Sequence, residues 1–496
     1  MKTTFSKAIA LATFVLSPIP FVSCSSSSDK PDGGARADGS TADGGAAGVD
    51  ASTGGGADSP NHPMPEAAPT VAPDAMPPTG SFCSLPGSVV FSDAGAAVMP
   101  GGDPSWPNLS SWLKLPSGFC AHYFASHHTI RQLRFAPDGD LFAAAPYAGT
   151  TGGRGDPTQS IYVLPDDNHD GVADSTTVFL NNMPNTQGLM FTGGYFYYQD
   201  HTTIRRVAFH AGDRTPSGPS ELVVDVGQYF RQDGGHWPKV MDVAQDGTIF
   251  ITNGGSQGDS CVSTRPVLGS VHKLNADNSL TPVAVGLRNP IAIRCEPTHN
   301  VCIAAELAKD YSYTPDYGRE KLVPIVVGAP VTDWGFPCCA TKNQAYAGIS
   351  YADSNQAPDC SGVASEEVGF FIGHTPFGLD FESSGGKWPA PWGSRVFVTL
   401  HGIVGSFLGA RIVAIPLDPM SGIPLPATEL DAATTDPNSD GMLDFATGWG
   451  NNDQSHGRPA AVTFAPDGRM FVGDDYGDST GSGSIVWIAP VSMMMP

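Results

Sequence analysis

Three short segments repeat one pattern along this 496-residue chain: Phe135–Phe142 (FAPDGDLF), Val243–Phe250 (VAQDGTIF) and Phe464–Phe471 (FAPDGRMF). Each reads as an apolar strand, a tight turn carrying Asp-Gly, and a second apolar strand, which is the pattern of a β-hairpin. Looser relatives lie between them at Gly188–Tyr198 (GLMFTGGYFYY), Ile291–Ala305 and Gly378–Thr399, the last containing the strand Arg395–Thr399 (RVFVT). About six hairpins spread along a chain with little helical periodicity predict short sheets set radially around an axis, an all-β propeller. Propellers hold ligands where the loops of successive blades converge, so those loops are where chemistry is to be sought.

The ends and the composition bound the rest. Lys2 and Lys7 precede an apolar run from Ala8 to Val22 that is interrupted by Pro18 and Pro20. It is too short to span a bilayer and reads as an export signal. Phe21, Val22, Ser23 and Cys24 resemble a lipobox, so Cys24 is the expected lipid anchor. Residues 25–81 contain no Phe, Trp or Tyr and are rich in Gly, Ala, Asp, Ser and Pro. Such a segment cannot bury enough surface to offset chain entropy, and it is expected to be a tether. The expected organisation is therefore signal peptide (1–24), tether (25–81) and propeller (82–496), with the protein outside the cytoplasm and held to a bacterial membrane through lipid alone. The formal net charge of −23 leaves no basic stripe for nucleic acid.

Without Cys24, eight cysteines remain, an even number that in an exported protein points to disulfides. Only Cys295 and Cys302 can be paired from the sequence, because they flank the turn-like stretch Pro297–Asn300 and would face each other across a hairpin. No CxxC repeat suggests zinc.

Candidate chemistry falls in the inter-hairpin loops. Lys and Arg number 26 against 49 Asp and Glu, so the arginine of Gly286–Pro290 (GLRNP), planted at a turn, calls for an anionic partner. About 50 residues earlier, Gly234 and Gly235 let the backbone turn sharply before His236, a side chain able to take a proton near neutral pH. Asp474 and Asp475 follow the last FAPDG hairpin and could orient a base or bind hydroxyls, or simply be solvated.

Taken in order, LPSGF (Leu115–Phe119), FAPDGDLF, GGHW, GLRNP, WGFP (Trp334–Pro337), LHG (Leu400–Gly402) and GRPAAVTFAPDG (Gly457–Gly468) resemble the soluble quinoprotein glucose and sorbosone dehydrogenases. The resemblance covers about Leu115 to Pro490. It implies a six-bladed β-propeller that binds pyrroloquinoline quinone (PQQ) and calcium and oxidises a sugar or related alcohol or aldehyde. On this likeness His236 is the general base, Arg288, Asn289 and Gln187 contact the cofactor, and Arg458 binds its carboxylates. His401 takes the cofactor-binding position where glucose-oxidising members carry lysine, and Ala460 replaces a second arginine. Trp237 and Pro238 follow the base where those members have a small pair, which brings the chain nearer the sorbosone branch. The likeness places calcium on backbone carbonyls around Leu307 and Ala308. No haem-attachment CxxCH is present, so electrons would leave to a separate acceptor.

A second calcium signal is independent of that likeness. Asp166, Asn168, Asp170, Gly171 and Asp174 fit DxNxDGxxD, and Asp436, Asn438, Asp440, Gly441 and Asp444 fit it again. The spacing matches the early oxygen ligands of an EF-hand-type loop, but Thr177 and Thr447 replace the twelfth-position Glu, so weaker structural calcium is expected. An Asx-rich turn closed by its own hydrogen bonds is the alternative. Two other functions stay open at this stage: a cofactor-free propeller that binds carbohydrate or protein, and a calcium-dependent, lactonase-like hydrolase.

Overall fold

A computed structural model describes residues 80–495 except 128, 147–160, 184, 229–235, 256–259, 264–268, 309–317, 383–384, 404–405, 430–440, 451–455 and 476–482. The signal, Cys24 and the tether as far as residue 79 lie outside the described residues, which all belong to one compact unit, Val71–Pro496; Ser81, the last residue of the expected tether, already bonds to the propeller through Val491 O at 2.8 Å.

The hairpin repeat becomes a ring of six antiparallel sheets, a six-bladed β-propeller. Blade 1 is Gln132–Phe135, Leu141–Ala144, Ile161–Leu164 and Thr177–Leu180 from the axis outward, and blade 2 is Leu189–Thr192, Tyr195–Asp200, Thr203–Ala208 and Glu221–Asp225. Blade 3 is Met241–Val243, Ile249–Asn253, Gly269–Leu274 and Leu280–Leu287, and blade 4 is Asn289–Cys295, Val301–Leu307, Glu320–Val326 and Val368–Phe370. Blade 5 is Pro376–Phe381, Arg395–Leu400, Arg411–Pro416 and Leu443–Ala446. Blade 6 closes the ring: Pro459–Phe464, Met470–Asp474 and Gly483–Pro490 take their fourth strand, Phe119–His127, from the start of the propeller. That pairing runs from Phe119↔Pro490 to His127↔Gly483 and joins the two ends of the propeller within one blade, closing the ring.

The three clear repeats fold alike. Ala136, Ala244 and Ala465 donate their N–H groups to the carbonyls of Asp140, Thr248 and Arg469 at 2.8–2.9 Å. Gly139, Gly247 and Gly468 hold φ near +101°, +88° and +100°, the backbone that the Asp-Gly turn requires. Innermost strands of neighbouring blades pack on one another around the whole ring. Low on the axis, Arg134 of blade 1 pairs with Asp242 of blade 3. Arg294 of blade 4 reaches Asp380 of blade 5 at 2.9 Å and Thr463 of blade 6 at 2.8 Å. Among the described residues, a void of about 20 Å³ is lined by Arg131, Gln187, Val240, Arg294 and Phe377 among others, about the size of one water.

All eight cysteines of the described part are paired: Cys83–Cys120, Cys261–Cys338, Cys295–Cys302 and Cys339–Cys360. The hairpin pair expected from spacing is present, with Cys295 and Cys302 opposite each other in blade 4. Two bridges staple the segment between the third and fourth strands of blade 4. That segment lies against GLRNP: Trp334 and Phe336 donate N–H to the carbonyls of Val285 and Gly286 at 2.9 and 2.8 Å. Among the described residues, no helix is long and apolar enough to cross a membrane.

Candidate functional site

Antiparallel pairing decides where the functional side chains go. In every blade the residue before the innermost strand and the residue after the second strand lie at the same end, as Pro376↔Leu400, Asn289↔Leu307 and Pro459↔Asp474 show. Arg288, His401 and Arg458 occupy such positions, Asn289 opens an innermost strand, and Gln187 and His236 lie in the segments that lead into the innermost strands of blades 2 and 3. The Asp-Gly turns occupy the other end. Sequence motifs scattered over some 270 positions, from Gln187 to Arg458, are thereby gathered at one end of the axis.

His236 is buried, and its Nδ1 lies 2.6 Å from the carbonyl oxygen of Gly255. A carbonyl can only accept, so Nδ1 carries the proton and the lone pair is on Nε2, the tautomer a base requires. Gly254 allows the close approach behind it: a methyl group there would lie 2.6 Å from Asn289 Oδ1 and 2.8 Å from His236 Cβ. The loop is held by Gln199, whose Oε1 accepts from the N–H of Gln187 (3.1 Å) and of Lys239 (3.0 Å), and whose Nε2 donates to Trp237 O at 2.9 Å. Lys239 is fully buried beside it with Nζ 3.2 Å from Trp237 O, and burial pushes its pKa down to about 7.

Arg288 donates its backbone N–H to Glu306 Oε1 at 2.9 Å and Nη1 to the carbonyl of Ala308 at 2.8 Å, while its own carbonyl accepts from Gly255 N–H at 2.7 Å. GLRNP is thus tied to the His236 loop on one side and to the end of the blade 4 hairpin on the other. Burial raises the Glu306 pKa, opposed by Lys321, whose Nζ lies 3.7 Å away.

The opposite wall is a charged network. Arg458 donates Nε to His401 O at 2.7 Å and Nη2 to Gly402 O, with its guanidinium over the Phe407 ring. His401 Nε2 pairs with Asp475 Oδ1, and Arg131 Nε lies 2.9 Å from Asp475 Oδ2. Burial, with Arg458 adding to it, lowers the His401 pKa to about 4, so the ring is neutral. Burial tends to raise Asp475, but His401 and Arg131 outweigh it and hold the carboxyl well below the ordinary range. Its neighbour Asp474, bonded by Trp449 Nε1 and near Ser484 Oγ at 3.1 Å each, is pushed by burial up to about 8. The two adjacent carboxyls have separated into one neutral acid and one anion.

Three buried amide atoms at this end have no hydrogen-bond partner among the described residues: Gln187 Oε1, Asn289 Oδ1 and Asn253 Nδ2. An unpaired buried amide costs stability comparable to a lost hydrogen bond, so these atoms are poised for a ligand. Sequence reading missed Arg131, Asn253 and Glu306. Arg131 had a usable signal, since it precedes the innermost strand of blade 1 as Arg458 precedes that of blade 6.

The DxNxDGxxD loops are elsewhere. Asp166–Asp174 joins the third and fourth strands of blade 1, at the end away from His236. Its groups largely bond within the loop: Asn168 Oδ1 and Asp170 Oδ1 accept the N–H groups of Asp170 and Val172, and Asp174 Oδ2 accepts that of Asp167. Asp166 Oδ1 is buried without a hydrogen-bond partner among the described residues, and burial lifts this carboxyl to about 6. Among the described residues, no three His, Cys, Asp or Glu side chains gather closely enough to hold a metal. In the second loop Asp436, Asn438 and Asp440 lie outside the described residues, and Asp444 is paired with Arg411 at 2.6 Å.

Comparison with known proteins gives the fold a context. A family described as "Domain of unknown function (DUF7133)" matches residues 109–289. No curated protein matches. Among solved structures, an AA12-family carbohydrate-active enzyme of Trichoderma reesei, in an iodide form, is 15% identical with a TM-score of 0.59, over 79% of this chain and all of that one. Its calcium form gives 0.58 at 15% identity, over 76% of this chain and 97% of that one. The holo PQQ domain of pyranose dehydrogenase from Coprinopsis cinerea gives 0.57 at 15% identity, over 78% of this chain and 98% of that one. This chain shares their fold.

Proposed function

We propose that this protein oxidises a sugar or related alcohol or aldehyde outside the cytoplasm, with PQQ and calcium bound at the propeller end that carries His236. The observation that carries the reading is the set of buried amide atoms Gln187 Oε1, Asn289 Oδ1 and Asn253 Nδ2, which lack partners among the described residues, at the same end as the buried guanidinium groups of Arg288 and Arg458. A flat tricarboxylate quinone fits that set, because it offers anionic oxygens to the two arginines, a further oxygen to Asn253 Nδ2 and a ring N–H that Gln187 Oε1 or Asn289 Oδ1 can accept, the other being left for a substrate hydroxyl. Folds shared with a PQQ domain and with a carbohydrate-active enzyme solved with calcium support it.

The bound cofactor supplies a hydride acceptor, polarised by the ion. The protein supplies the rest. His236 Nε2 takes the substrate hydroxyl proton, with the developing imidazolium stabilised through Nδ1–H on the Gly255 carbonyl. Arg288 and Arg458 hold negative charge in place, and the Arg134–Asp242 and Arg294–Asp380 pairs tie the innermost strands together along the axis. The carbonyls at Leu307 and Ala308, beside Arg288 Nη1, are the oxygens proposed for the ion. The four disulfides suit an oxidising compartment, and Cys24 would anchor the chain there. Electrons leave to a separate acceptor, and Asp166–Asp174 and Asp436–Asp444 are proposed as weak structural calcium loops.

The test is reconstitution. Protein given PQQ and calcium should gain a bound quinone absorbance and reduce an artificial dye with a sugar. His236→Ala should stop turnover and keep cofactor binding, whereas Arg288→Ala should weaken binding itself. Failure of the wild-type protein to bind PQQ at micromolar concentration overturns the reading.

A further inference from the structure

Two of the buried imidazoles at the site end of the propeller, His236 and His401, are held in opposite senses. His236 gives its Nδ1 proton to a backbone carbonyl, while His401 gives its Nε2 proton to Asp475. Arg131 keeps Asp475 anionic at 2.9 Å, so the Nε2 proton of His401 is fixed and its lone pair is left on Nδ1. The ring cannot readily turn. It packs on Phe377 at 4.3 Å between centroids, its backbone N–H donates to Thr375 O at 2.8 Å, and its carbonyl accepts from Arg458. The wall is continuous with the other histidine, because the Arg131 guanidinium lies 5.1 Å from the Phe377 ring and 5.5 Å from the ring of Trp237, the residue after His236.

The charged groups around His401 are Arg131, Arg458 and Asp475, with neutral Asp474 beside the last. Two guanidinium groups oppose a proton on the ring, and the single carboxylate is already shared with Arg131. The surroundings therefore select an uncharged imidazole that accepts through Nδ1. A plain packing residue would not need a carboxylate behind it and an arginine behind that.

We propose that His401 is a substrate-positioning residue whose Nδ1 accepts a hydrogen bond from a hydroxyl other than the one held by His236, so that the site selects polyols and sugars over simple alcohols. The inference rests on the reading of this end as the substrate site. Asp475 and Arg131 act through His401 and set its tautomer.

The experiment combines a spectroscopic readout with binding. Nitrogen-15 NMR of the histidine rings in the wild-type protein should show His401 neutral and protonated on Nε2. Calorimetric titrations with sorbitol and with 1-propanol, run with and without PQQ and calcium, should show a preference for sorbitol. His401→Phe should raise the sorbitol Kd at least about tenfold and leave 1-propanol unchanged, while His401→Asn, whose Oδ1 can replace Nδ1, should stay within about threefold of wild type. If the Phe variant does not fold, the Asn variant and the wild-type spectrum decide. A ring protonated on Nδ1, equal losses in the two variants, or no sorbitol binding by wild type overturns the proposal. Binding that depends on His401 without any PQQ uptake would sink the redox reading and leave this one standing. PQQ uptake with turnover but no His401 effect would do the reverse.

Discussion

Gly286 faces Asp333 so closely that a methyl group on its Cα would lie 2.2 Å from Asp333 Oδ1 and 2.7 Å from the N–H nitrogen of Gly335. Its φ of +67° is also one that other residues adopt only with strain. The WGFP segment thus grips the GLRNP turn where only glycine fits. Gly286→Ala should therefore cost more than the backbone strain of about 1–2 kcal/mol. Gly139→Ala is the control, since that turn has φ +101° and open space around it. Denaturant unfolding should show the Gly286 variant less stable than the Gly139 variant by at least about 1 kcal/mol, and cofactor binding should fall only in the former.

The Asp474 carboxyl links stability to pH. It titrates near 8 in the folded protein against an ordinary 3.8, so the native state holds a proton that the unfolded chain releases. Its contribution is whole below the unfolded value and declines as pH rises toward 8, by up to about 1.4 kcal/mol per pH unit. Asp475 has the opposite sign, but its window lies below the ordinary carboxylate range and does not overlap. Asp474→Asn should flatten the stability profile between about pH 5 and about pH 7.5, measured by denaturant midpoints. An unchanged slope would show that Asp474 is ionised in the native protein.

The ring of blades was legible because a two-residue turn signature is local: FAPDG forms the same hairpin wherever it occurs. The shared end of His236, Arg288 and Arg458 was legible for a related reason, since Arg288 and Arg458 directly precede innermost strands and His236 lies in the loop that leads into one. Arg131 was not, because its role depends on Asp475, which is 344 positions away (475 minus 131) and comes near only when the last blade closes on the first. The disulfides show the same division. Cys295–Cys302 follows from a single hairpin, whereas Cys261–Cys338 joins two blades and has no local sign.

That second bridge gives the next prediction. Cys338 lies just after WGFP, and its bond to Cys261 anchors the segment to the loop after the second strand of blade 3. Replacing both cysteines by serine should cost about 2–4 kcal/mol, with the magnitude set by the 77-residue separation of the ends. It should also loosen the grip on Gly286 and weaken PQQ binding without changing the tautomer of His401. Replacing Cys295 and Cys302 should lower stability alone, since that bridge stays within one hairpin of blade 4 at its far end. Parallel melting curves and cofactor titrations of the two double variants check the contrast.

Beneath Arg288, Glu306 and Lys321 are each about 1% exposed and 3.7 Å apart. Glu306 holds the Arg288 backbone, and Lys321 also donates to Ala340 O at 3.0 Å. Removing one partner leaves the other charge buried, so Glu306→Ala should cost about 3–5 kcal/mol. Glu306→Gln keeps a carbonyl for the Arg288 N–H and should cost less, while still leaving Lys321 without its counter-charge. The double variant Glu306→Gln with Lys321→Met removes both charges and should recover much of the loss. Arg288 keeps its backbone acceptor there, so PQQ binding should recover with stability. A double variant no more stable than Glu306→Gln alone would mean that the two side chains are not coupled, and that Arg288 is positioned by its bond to Ala308 instead.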